Sequence, residues 1–168
     1  MTILRIIGID PGSRITGYGV IERVKNRLCY IASGCIRLPN VSLPERVHQI
    51  FEDLSQVILE FKPNLAAVEQ VFMHKNARSA LILGQARGAA LCALTHRGLA
   101  VAEYMPRQVK QAVVGYGAAD KIQVQQMITQ LLSLSGIPQA DAADALAVAI
   151  CHSQIYSYQV AFQQQLQR

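Results

Sequence analysis

No stretch of about 18 apolar residues, the length a helix needs to cross a bilayer, occurs in this chain of 168 residues, so no membrane association is expected. The opening Met1-Thr2-Ile3-Leu4-Arg5 lacks the charged leader, apolar core and cleavage site of a secretory signal, and a cytoplasmic location is expected. Cysteine is scarce: Cys29, Cys35, Cys92 and Cys151 are scattered, with no pair at zinc-binding spacing, and each sits in an apolar segment that suits a buried, reduced thiol. His48, His74, His96 and His152 form no HxH or HxxxH pair, which argues against a histidine-based metal site. Acids are outnumbered, 11 against 16 lysines and arginines, giving a net charge of +5 and a pI near 9.2. That balance suits a polyanionic partner, although it also serves plain solubility. No internal repeat or linker divides the sequence.

What is present is a hydrophobic fraction of 51% and a mean hydropathy of +0.22, enough for one well-packed core. The pattern predicts a single domain over 1–157 and a glutamine-rich tail, 158–168, left frayed. Ile3 to Ile9 reads as a buried strand closed by the turn Asp10-Pro11-Gly12-Ser13. Ile15 to Val24 and Leu28 to Ile36 follow as two more strands of an antiparallel meander, Gly17 and Gly19 marking a bulge or a close backbone approach. Ser42-Leu43-Pro44-Glu45 is a capping box that opens an amphipathic helix ending at Pro63. Leu65 to Glu69 is a short buried strand. Asn76 to His96 is a helix rich in small residues, and Leu99 to Tyr104 is a fifth strand. Helices are expected from Pro106 to Val114, after Asp120, and from Gln139 to about His152. Such an order describes an α/β fold: a mixed sheet, meander first and parallel strands after, with helices on both faces.

Four carboxylates stand at the ends of these apolar elements. Asp10 closes the first strand, where an Asp-Pro-Gly turn alone also accounts for it. Glu69 lies between Leu65-Ala66-Ala67-Val68 and Val71-Phe72-Met73, where an unpaired charge is costly unless a cation meets it. Asp141 and Asp144 share a helix face among alanines. Two like charges there destabilise a helix, unless they form a solvated first turn that complements the helix dipole. Taken together the four suit a hard divalent cation with oxygen ligands, whose open positions substrate phosphates complete. A pair of such ions suits in-line phosphoryl displacement.

The blocks Gly8-Ile9-Asp10-Pro11-Gly12-Ser13-Arg14, Glu69-Gln70-Val71-Phe72, Leu83-Gly84-Gln85-Ala86-Arg87-Gly88, Arg107-Gln108-Val109-Lys110 and Gln139-Ala140-Asp141-Ala142-Ala143-Asp144-Ala145-Leu146 closely resemble the RuvC family of Holliday junction resolvases. They run in the family's order over nearly the whole chain. The resemblance implies a ribonuclease-H-like fold and a homodimeric, Mg²⁺-dependent endonuclease that resolves four-way DNA junctions by paired symmetric nicks. It implies two metal ions per site, with Mn²⁺ as a possible substitute, held by Asp10, Glu69, Asp141 and Asp144. Lys110 and Lys121 become basic groups near the scissile phosphate, and Phe72 an aromatic that meets bases, although Phe72 also suits a core. Lys75, Arg78, Arg87 and Arg107 extend the DNA-binding surface. Expected partners are a branch-migration motor and its junction-binding companion. His74 and Arg78 depart from the family's pattern by making this surface more basic. The Asp10 loop also looks like the first phosphate loop of actin-like ATPases, but a second domain and second loop are missing. Other rivals are a junction binder without catalysis and a related nuclease with another substrate preference.

Overall fold

A computed structural model describes residues 3–70 and 76–166. Five strands, β1 (Leu4–Asp10), β2 (Ile15–Val24), β3 (Arg27–Arg37), β4 (Leu65–Glu69) and β5 (Val101–Tyr104), form one sheet in the order β3-β2-β1-β4-β5. The meander β1-β2-β3 is antiparallel, and β4 and β5 run parallel to β1, as the sequence predicts. The bulge is not at Gly17 or Gly19 but in β3, where Ile31 is the extra residue opposite the Val20–Ile21 step of β2.

Helices cover both faces. On one lie α1 (Leu43–Phe61) and α2 (Ala77–His96), whose Ile50, Leu54, Ala90 and Leu94 pack on Ile7, Ile9 and Val68. On the other lie α3 (Pro106–Val114), α4 (Lys121–Leu131) and α5 (Ala140–Leu166), which enclose Ile6, Ile21 and Ala67. The first helix starts where its capping box places it: the Ser42 backbone N–H and hydroxyl both donate to Glu45. Its end is set by Lys62, which takes a left-handed conformation at φ 49° just before Pro63.

Two expectations are corrected. The last helix does not stop near His152 but continues to Leu166, through the glutamine-rich stretch taken as frayed. Glutamine is a good helix former and no glycine or proline interrupts the stretch, so an established helix propagates into it. The thiols are not uniformly buried either. Cys151 is, whereas Cys29 and Cys35 are half-buried and Cys92 is exposed.

Candidate active site

Parallel pairing of β1 with β4 sets Ile9 opposite Val68, so the next residues, Asp10 and Glu69, emerge side by side at the C-terminal ends of two interior strands. The other two acids arrive on α5. This helix crosses the sheet unusually close, because β1 and β2 present glycine beneath it. A Cβ on Gly8 would stand 2.2 Å from the Ala145 carbonyl oxygen, and one on Gly17 would stand 2.0 Å from that of Asp141. Gly17 is itself the residue paired with Asp10. The start of α5 therefore rests directly on the strand position beside the first acid. Along the helix, Ala142, Ala143 and every residue from Ala145 to Ser153 are buried, while Asp141 and Asp144 keep partial exposure.

Crowding shows in the electrostatics. Burial, then the charges of Glu69, Asp144 and Asp141 and a hydrogen bond with Glu69, push the Asp10 carboxyl up to about 8. Glu69 is raised by burial and by Asp144, against the opposing effects of its hydrogen bond with Asp10 and of Lys121 and Lys110. The two carboxyls are hydrogen-bonded and titrate as a pair that holds a proton more tightly than isolated acids would. Lys121, at the start of α4, donates to Asp144 with Nζ 3.4 Å from Oδ2, and Asp144 raises its pKa in turn. The Asp120 carboxylate caps that helix by accepting from the Gln123 N–H, which fixes where Lys121 stands.

Four carboxylates thus meet two lysines, and the surplus of negative charge in a half-buried site suits a divalent cation. Every donor is a hard carboxylate oxygen, the ligand class of magnesium and manganese rather than of softer metals. Among the described residues, no three histidine, cysteine, aspartate or glutamate side chains are already gathered into a coordination shell. Glu69, Asp141 and Asp144 are all near enough to raise the pKa of Asp10, and side-chain rotation must bring the four carboxylates' oxygens together on an ion.

The other expected site residues separate into groups. Lys110, on α3, is near enough to act on Glu69. Arg107, in the first turn of α3, is exposed and packs its stem against Gly117. Arg87 is ion-paired with Glu103 of β5, so its charge is already met. Arg78 is exposed in the first turn of α2 and lines a separate cleft. Phe72 and Lys75 lie outside the described residues. Gly8 escaped the sequence reading as a site residue. Its signal was the recurrence of glycine at 8, 17 and 19, which the register places together under one helix.

A family model for crossover junction endodeoxyribonuclease RuvC matches residues 6–152. A protein of that name from Tolumonas auensis is 62% identical over 153 residues, 91% of this chain and 87% of the relative. One from Vibrio cholerae is 60% identical over 148 residues, 88% of this chain and 86% of the relative. Thermus thermophilus RuvC, solved in complex with a Holliday junction substrate, superposes with a TM-score of 0.83 at 35% identity, covering 89% of this chain and 93% of that one. A yeast mitochondrial Holliday junction resolvase shares the fold, with a TM-score of 0.64 at 12% identity over 96% of this chain and 86% of that one. With a family model matched over most of its length, the chain belongs to the RuvC family of crossover junction endodeoxyribonucleases, metal-dependent nucleases of ribonuclease-H-like fold that act in DNA recombination and repair.

Proposed function

We propose that Asp10, Glu69, Asp141 and Asp144 hold two magnesium ions, with manganese able to replace them, and that the chain resolves four-way DNA junctions by paired symmetric nicks. The observation that carries this reading is the meeting of two parallel strand ends and one helix face, where the carboxylates of β4 and α5 raise the pKa of Asp10 on β1. Bound there, the metal would lower the pKa of an attacking water and neutralise the charge that develops on the phosphodiester. Asp10 and Glu69 must give up their shared proton as the ions bind, so loading of the site weakens as pH falls. Lys121, which donates to Asp144, and Lys110, which acts on Glu69, stand beside the acids and would meet phosphate oxygens there. Each supplies a fixed cation to a centre that becomes more negative in the transition state.

Arg107 and Lys75 extend this cationic track, and Phe72 stacks on an unpaired base at the branch point. Arg87 contributes through its pairing with Glu103, which ties α2 to β5, more than through DNA. A four-way junction is two-fold symmetric, so two matched nicks call for a homodimer. Support for a second copy comes from an apolar groove of 620 Å³ between α1 and α2, lined by Val47, Phe51, Gly88, Ala89 and Cys92. Near it, Leu81 is 70% exposed and a Cβ on Gly84 or Gly88 would meet nothing within 4 Å. We place the enzyme in the cytoplasm beside a branch-migration motor and its junction-binding companion. No helix of the described residues is long and apolar enough to cross a membrane.

The test is incubation of purified protein with an end-labelled four-way junction, with and without Mg²⁺. Symmetric paired incisions that require metal are expected. Equal cleavage of linear duplex, or cleavage in EDTA, would overturn the reading.

A further inference from the structure

Three arginines from three separate parts of the fold line one cleft of about 640 Å³ to which none of the four acids contributes. Arg14 lies in the turn between β1 and β2, Arg46 in the first turn of α1, and Arg78 in the first turn of α2. Ser13, Asn40 and Ser79 supply further polar groups, and no acid lines the cleft. None of the three arginines is ion-paired among the described residues. Arg46 reaches back to donate from Nη1 to the Ser13 carbonyl oxygen at 3.3 Å, while its Nε is buried without any hydrogen-bond partner. Gathering three guanidinium groups and burying one donor unsatisfied is unfavourable unless an anion completes the arrangement. The donors are the side chains and not the helix end, since Asn76 Oδ1 already accepts from the Arg78 and Ser79 N–H groups.

Guanidinium forks match tetrahedral phosphate oxygens. The lining has no aromatic side chain to hold a nucleobase, so the chemistry fits a backbone phosphate better than a free nucleotide. Position points the same way. Arg14 lies in the turn that follows Asp10, and Arg78 opens the first helix after Glu69, so the cleft is lined from the segments that come next in the chain after each strand-end acid. We propose that Arg14, Arg46 and Arg78 form a second phosphodiester subsite, which grips the DNA backbone of an arm beside the one being cut. It rests on the endonuclease reading of the acid site and adds a binding determinant that none of the catalytic carboxylates supplies.

The test is junction affinity in EDTA, by fluorescence anisotropy from about 50 to about 200 mM salt, for wild type, the double variant Arg14→Gln/Arg78→Gln, and Arg97→Gln at the far end of α2. The double variant is expected to bind on the order of 10-fold more weakly at about 100 mM salt, with a salt slope reduced by about 1 to 2. Arg97→Gln should stay within about 2-fold of wild type. Wild-type affinity and slope in the double variant, or an equal loss in Arg97→Gln, would overturn the subsite. So would displacement of the junction by micromolar ATP, which would make the cleft a nucleotide site. Failure of wild type to cut junctions with Mg²⁺ would instead overturn the reading of the acids, so the two failures are distinguishable.

Discussion

Replacing Asp10 by asparagine should abolish cleavage and yet stabilise the metal-free protein. The Asp10 carboxyl, ordinarily near 3.8, is pushed up to about 8 in the fold, first by burial and then by Glu69, Asp144 and Asp141. Between those two values the folded state keeps a proton that the unfolded chain has released, so folding stability falls as pH rises across that window. By pH 7 the corresponding cost is roughly 4 kcal/mol as an upper bound. Asparagine removes the charge but still buries a polar group, which leaves a net gain of about 2 kcal/mol. For a chain of this size that is a rise in Tm of about 4–8 °C. Thermal melts followed by circular dichroism in EDTA at about pH 7.5 and about pH 4 measure it. The gap should narrow at the lower pH, where Asp10 of the unfolded chain begins to keep its proton as well and folding no longer has to take one up. Added Mg²⁺ should raise the Tm of wild type and leave that of Asp10→Asn nearly unmoved. A variant that melts lower at pH 7.5, or a gap of equal size at both pH values, would refute the picture of a repelling acid cluster centred on Asp10.

Gly17→Ala places a methyl 2.0 Å from the Asp141 carbonyl oxygen, so α5 must lift by about 1 Å; a stability loss of about 2–3 kcal/mol by urea denaturation and a cleavage loss on the order of 10²-fold are expected. Gly84→Ala, which meets nothing, should be neutral or stabilise the helix by up to about 1 kcal/mol in the same measurement. Lys121→Met should lower single-turnover cleavage on the order of 10²-fold while changing Tm little, because its pairing with Asp144 is largely exposed. Leu81→Glu should shift the protein from dimer to monomer in sedimentation velocity without lowering monomer stability, as the side chain is already 70% exposed.

Much of the architecture was legible because local chemistry and global fold agree. Ser42 and Glu45 announce the start of α1, Asp120 that of α4, and the apolar run before Asp10 reads as a buried strand whichever neighbour it pairs with. The acids were legible for a related reason: a charge such as Glu69 at the end of a buried strand has few inexpensive explanations. What escaped depends on partners remote in sequence. Strand order follows from the parallel pairing of β1, β4 and β5, which no local pattern encodes. Arg87 looked like a free cation until Glu103 was found beside it, and Gly8 looked like an ordinary strand residue until α5 was laid across it. Arg14 and Arg46 gave no signal at all, since their common cleft exists only once a turn and two helices are assembled. The length of α5 was missed because glutamine carries helix propensity without the apolar periodicity that marks a packed helix.

Diffraction from crystals soaked in Mn²⁺, read through the anomalous signal of the metal, tests the central claim most directly. Peaks coordinated at about 2.0–2.2 Å by oxygens of Asp10, Glu69, Asp141 and Asp144 are expected, the side chains having rotated inward from their metal-free positions. Metal bound elsewhere, or four carboxylates that stay apart at saturating Mn²⁺, would contradict it.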